Sequence, residues 1–211
     1  MREMREFLMQ RAAFTGANFD YKDRSYIDIC DYVLDRGTPQ PASASLTEEQ
    51  YEYLMRCVAG RPMVSKQCFH NAQMLLTNDR EGRLQYKEGF AFTGAIPVHH
   101  AWVELDGKLV DVTRSIRKEA VQEFLDGVEP QSDLRDRVLG VVPAGWVYLG
   151  CSFDADPIID RILERGETRC VLDNWQDRYP ELHEERLNPI SPELNALIDQ
   201  MKQFQGAVSQ R

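Results

Sequence analysis

The dipeptide Asp106-Gly107 constrains this chain more than any other pair of residues. It separates two largely apolar runs, His99-His100-Ala101-Trp102-Val103-Glu104-Leu105 and Lys108-Leu109-Val110-Asp111-Val112-Thr113. Asp-Gly is a strong signal for a two-residue β-hairpin turn, because both turn residues must take positive φ. Such a turn makes Leu105 face Lys108, Trp102 face Asp111 and His100 face Thr113. Side chains alternate along a strand, so His100, Trp102, Glu104, Leu109, Asp111 and Thr113 share one face. His99, Ala101, Val103, Leu105, Val110 and Val112 take the other. His100 and Asp111 become diagonal neighbours within reach of polar side chains. A three-residue bulged turn would shift this register. His99 points away from His100, so the pair cannot chelate one ion, and no metal ligands are expected.

The hairpin sits in a chain whose pattern changes along its length. Residues 1–13 read as a short charged helix, and residues 24–36 carry apolar side chains at helical spacing up to Gly37. Residues 37–46 have the composition of a loop. Thr47 and Gln50 form a capping-box signal for a helix running to Ala59 and ended by Gly60-Arg61-Pro62. Ser65 is a good N-cap for a helix over 66–77. Strands are then expected over 84–93, 96–105, 108–113 and 145–152. Helices follow over 117–126, 157–165 and 192–205, and 174–189 has no clear pattern. Helices, then an antiparallel meander, then helices, read as an α+β fold with helices packed on an antiparallel β-sheet. The expected segments are an N-terminal helical stretch (1–46), a core (47–155) and a C-terminal helical stretch (156–211) packed on it. At 211 residues they make one domain overall.

Charge and cysteine usage narrow the function classes. The chain carries 25 Lys and Arg against 34 Asp and Glu, a net charge of −9, which disfavours nucleic acid as a partner. No apolar run is long enough for a membrane span, and the N-terminus carries charges where a secretory signal would be apolar. The five cysteines, Cys30, Cys57, Cys68, Cys151 and Cys170, are scattered without a CxxC spacing. That pattern implies thiols in a reducing, cytoplasmic setting.

Cys68 differs from the others in its surroundings. Ser65-Lys66-Gln67-Cys68 places it in the first turn of a helix, where N–H groups and the helix dipole favour a thiolate. The same N–H groups can hold an oxyanion. An imidazole beside a carboxylate is held in one tautomer and its imidazolium is stabilised. Cys68, His100 and Asp111 therefore form a candidate nucleophile, base and orienting acid. Gln67 is a candidate for assisting the oxyanion, Trp102 for the floor or substrate side of the site, and Glu88 for the cleft lining. His70, two residues along the helix, points away from Cys68 and is read as non-catalytic. Tyr148 and Cys151 are read as packing.

These residues resemble the three motifs of the transglutaminase-like cysteine enzymes, within the papain-like superfamily. That family runs Gly-Gln-Cys-Trp, His-x-Trp-x-Glu and Asp-x-Thr. This chain has Gln67-Cys68-Phe69, His100-Ala101-Trp102-Val103-Glu104 and Asp111-Val112-Thr113 in the same order, with Lys66 where the family carries glycine. Small bacterial and phage members are the nearer analogy. They share the Cys, Asn and Ala seen here as Cys68, Asn71 and Ala72, and the Tyr-x-Glu-Gly strand seen as Tyr86-Lys87-Glu88-Gly89. The resemblance implies a transglutaminase-like or papain-like core with a catalytic Cys at a helix N-terminus. It also implies hydrolysis or transamidation of an amide or peptide bond, with no cofactor. The expected partner is a protein, peptide or small amide substrate. Alternatives are a catalytically silent protein-binding module on the same fold and a thioester-dependent acyltransferase.

Overall fold

The computed structural model describes residues 1–40, 46–59, 63–64, 66–92, 94–115 and 145–208. It is an α+β protein whose contacts divide into two compact units. One unit is Met1–Pro39 with Val171–Arg211, and the other is Gln40–Cys170. The N- and C-terminal helical stretches thus associate with each other, with boundaries at 39/40 and 170/171 in place of 46/47 and 155/156.

In the first unit, α1 (Arg2–Asn18) packs on α2 (Ile29–Arg36) and on α7 (Pro192–Val208). Gly16 lets α1 and α7 approach closely, since a Cβ there would lie 3.1 Å from Ile198 Cδ1. Asp28 caps α2 by accepting from the N–H groups of Cys30 and Asp31. The C-terminal segment is clamped by Arg186, which donates from Nη1 and Nη2 to the two oxygens of the buried Asp31 at 2.6 and 3.1 Å. Such bidentate pairs fix geometry as well as charge. A 3₁₀ turn at Pro180–His183 lies within the stretch that had no clear sequence pattern.

The second unit holds the sheet. Its helices are α3 (Glu48–Val58), α4 (Cys68–Leu76), α5 (Val112–Ser115) and α6 (Ala155–Arg165). Its strands are β2 (Leu84–Phe92), β3 (Val98–Leu105), β4 (Lys108–Val110) and β5 (Val147–Phe153). β1 (Thr38–Gln40), in a stretch expected to be loop, ends in this unit, and the sheet order is β1-β5-β2-β3-β4. The pairs β5·β2, β2·β3 and β3·β4 are antiparallel. A simple meander would have put β5 beside β4. It pairs instead with β2, which makes β2 a central strand buried over most of its length.

Local signals decide several of these elements. The capping box at α3 forms in both directions, with Gln50 N–H to Thr47 Oγ1 at 3.2 Å and Thr47 N–H to Gln50 Oε1 at 3.1 Å. Asp106 and Gly107 take φ of 49° and 79°, and the register pairs Leu105 with Lys108 and Val103 with Val110. The last expected strand stops early, because the chain turns into α5 at Val112. Thr113 therefore stands in a helical turn and not opposite His100 on a strand. α4 starts at Cys68 with Gln67 as its N-cap, two residues later than expected. The expected N-cap Ser65, the Gly60-Arg61-Pro62 stop and the 117–126 helix lie outside the described residues.

The two faces of the sheet carry different side chains. On one, Phe69 of α4 meets His99 with ring centroids 5.2 Å apart. On the other, Trp102, Tyr148, Ala91 and Leu109 form a buried cluster. Gly150 is required beneath it, since a Cβ there would fall 2.4 Å from Trp102 Cη2 and 2.8 Å from Glu88 O. Forcing one methyl into such a packed layer costs about 1–3 kcal/mol. Gly150→Ala is expected to lower the unfolding free energy measured in urea by that amount, and Trp102→Leu with Gly150→Ala to recover part of it.

Candidate active site

Cys68 opens α4 and is buried, with 8% of its surface exposed. The segment before it is fixed by Asn71, which is fully buried. Its Oδ1 accepts from Val64 N–H at 2.8 Å, and its Nδ2 donates to Val64 O at 2.8 Å and to Thr113 Oγ1 at 3.1 Å. One amide thus ties the approach to Cys68 to the turn that follows Asp111. Lys66, where the resembling motif has glycine, takes φ of 65°, the left-handed region that glycine enters most readily.

His100 and Asp111 meet as the hairpin register requires. His100 Nε2 lies 2.7 Å from Asp111 Oδ2, and both side chains are buried. Asp111 is held in turn by Tyr148 Oη, which donates to Oδ2 at 2.8 Å, and by Thr113 N–H, which donates to Oδ1 at 3.2 Å. Burial alone would push the imidazole down. Hydrogen bonds to Asp111 and Cys68, and the charges of those two groups, overcome it and raise His100 to about 9 from an ordinary 6.5. With Nε2 committed to Asp111, Nδ1 is the nitrogen left for the Cys68 sulfur. The three residues named from sequence are therefore brought together.

The supporting residues fall differently. Gln67 is exposed at the N-cap, makes no side-chain cap bond and gives its N–H to Val64 O at 3.2 Å. Trp102 is wholly buried and donates from Nε1 to Gln40 Oε1, so it forms the floor beneath His100 and presents no face to a substrate. Glu88 does not line this cleft. β2 places Glu88 opposite Ala101 and Gly89 opposite His100, which sends the carboxylate to the His99 face. His70 bonds Thr168 Oγ1 through Nδ1 at 2.9 Å.

Two residues that the sequence did not place at the site belong to its frame. Tyr148, read as packing, supplies its hydroxyl to Asp111 while its ring packs edge-on to Trp102 at 5.0 Å. Gln40 receives the Trp102 N–H and donates to Glu104, which pairs with the buried Lys87 at 3.0 Å. Both come from strands whose place in the sheet, β5 beside β2 and β1 beside β5, depends on long-range pairing, which no local pattern encodes. No family model, curated protein or solved structure matches the chain. Among the described residues, no helix is long and apolar enough to cross a membrane.

The raised His100 makes stability depend on pH. The folded chain holds this proton more tightly than the unfolded chain. Its contribution is complete below about pH 6.5 and is lost as pH rises through about 9. The loss is on the order of 3 kcal/mol. Urea unfolding across this range should show it in the wild type, and Asp111→Asn should flatten it. Parallel curves for the two proteins would contradict the assignment.

Proposed function

We propose that the protein is a cysteine-dependent acyl-transfer enzyme that hydrolyses or transamidates an amide or peptide bond through Cys68, His100 and Asp111. The observation that carries this reading is the buried His100–Asp111 bond through Nε2, with Cys68 as the second group acting on the same imidazole. That arrangement orients the ring and holds its proton for transfer.

In the proposed reaction the Cys68 thiolate attacks the carbonyl carbon, and a C–S bond forms as the carbonyl oxygen takes up charge. N–H groups of the first turn of α4 face that oxyanion. The C–N bond then breaks, and the His100 imidazolium gives its proton to the departing amine. Water or a second amine attacks the thioester, His100 takes the proton from that nucleophile, and the thiolate leaves. Asp111 orients the imidazolium through Nε2, and Tyr148 and Thr113 hold Asp111 in place.

The other cysteines provide an internal contrast. Burial and the nearby Asp79 push the Cys57 thiol up to about 11, and burial with Asp28 pushes Cys30 higher still. Iodoacetamide at pH 6, mapped by mass spectrometry, should label Cys68 faster than Cys30 and Cys57 by on the order of 100-fold. His100→Ala should remove that advantage, and Cys68→Ala should abolish turnover of any amide substrate found. Equal labelling of Cys68 and Cys57 in mildly loosened protein would instead favour a binding module without chemistry.

A further inference from the structure

The opposite face of the sheet carries a second convergence of reactive side chains, which the proposed chemistry does not use. Glu88, His99 and Cys170 present three donor atoms within 4.8 Å of one another. His99 Nε2 lies 3.1 Å and Cys170 Sγ 2.7 Å from the same Glu88 oxygen, Oε1. Cys170 Sγ and His99 Nε2 are 3.8 Å apart. We propose that Glu88 Oε1, His99 Nε2 and Cys170 Sγ bind a divalent transition metal of the zinc class, with an exchangeable water in the fourth position.

The distances suit such an ion. Tetrahedral zinc with one oxygen, one nitrogen and one sulfur ligand separates those ligands by roughly 3.4–3.6 Å. The separations of 2.7, 3.1 and 3.8 Å bracket that range, so each must change by less than about 1 Å on binding. The donor set also suits it, since one thiolate, one imidazole and one carboxylate are borderline ligands that favour zinc over magnesium or calcium.

The surroundings supply what a metal site needs beyond its ligands. The Glu88 carboxylate is fully buried, and Tyr86 Oη donates to its other oxygen, Oε2, at 2.9 Å. That bond orients the carboxylate so that Oε1 faces His99 and Cys170. Phe69 and Phe90 flank the His99 ring at 5.2 and 5.5 Å and limit its rotation. Outer contacts of this kind orient metal ligands. A thiolate and a carboxylate this close repel each other, and a dication removes that repulsion while the thiol proton leaves to solvent. His99 and Cys170 are partly exposed, which gives the ion and a water a path in.

Chelator-treated protein titrated with Co(II) tests the proposal. One ion per chain should bind, giving visible d–d bands and a near-ultraviolet thiolate-to-cobalt band that Zn(II) abolishes. Cys170→Ser should lose the thiolate band and weaken Zn(II) binding by roughly tenfold or more. His99→Gln should weaken it likewise, and serves if Glu88→Gln, at a buried position, fails to fold. Cys68→Ala should keep both band and affinity. The proposal is overturned if no band forms at saturating Co(II), if the band survives in Cys170→Ser, or if Cys68→Ala removes it. Alkylation of Cys68 is a separate readout, so failure of the metal site leaves the reading of His100 and Asp111 untouched.

Discussion

The β3–β4 register depends on two residues with positive φ. Asp106 and Gly107 close the hairpin without a bulge, and the parity of every residue from Val98 to Asp111 follows. A slip of one position would send Asp111 to the face of His99 and away from His100. The turn is reinforced outside the strands. Asp106 accepts from Arg83 and from Gln50, the same residue that closes the capping box of α3. These contacts are partly exposed and contribute little energy each. Their effect is to hold the turn in one register and to join the start of β2 to the start of α3.

Parity then separates two sets of polar groups that would interfere if they shared a face. The sheet keeps His100, Asp111 and Tyr148 on one side and Glu88, His99 and Tyr86 on the other, although His99 and His100 are chain neighbours. A buried carboxylate is tolerable only when hydrogen bonds replace its water. Asp111 meets that need with Tyr148, Thr113 and His100, and Glu88 with Tyr86, His99 and Cys170. Each carboxylate therefore has its own imidazole and its own tyrosine. Gly89 faces Gly150 across β2 and β5, where a Cβ on Gly89 would fall 2.5 Å from Gly150 Cα and one on Gly150 2.4 Å from Trp102 Cη2.

Local chemistry was legible in the sequence, and long-range pairing was not. The Asp-Gly turn, the Thr47–Gln50 box and the meeting of His100 with Asp111 all follow from residues close in the chain. The α+β class follows from the change of period between residues 77 and 84. The partner of β2 does not follow, because β5 lies beyond 116–144 and nothing in its own residues says which strand it joins. The missed frame residues share that origin. Tyr148 reaches Asp111 only because β5 lies beside β2. Gln40 reaches Trp102 only because β1 lies beside β5. Cys170 meets His99 across 71 residues of chain. Glu88 was misplaced for a related reason: its parity depends on the β2–β3 register, which has no tight turn to fix it.

The start of α4 shows how a locally unfavourable conformation is retained. A lysine in the left-handed region costs roughly 1–2 kcal/mol relative to a glycine there. Helix propensity would instead start the helix at Lys66, as the Ser65 signal suggests. The Asn71 side chain opposes this. Its three hydrogen bonds hold Val64 N–H and O in a fixed place relative to the third residue after Cys68, and hold Thr113 beside them. Each bond contributes about 1 kcal/mol, and breaking them would leave buried polar groups without partners. The balance favours the bent approach, so the helix begins at Cys68 and its first turn of N–H groups opens at the sulfur, not two residues earlier. Cys68 is placed beside His100 by this competition between backbone strain and a buried amide, and the hairpin supplies the rest of the site.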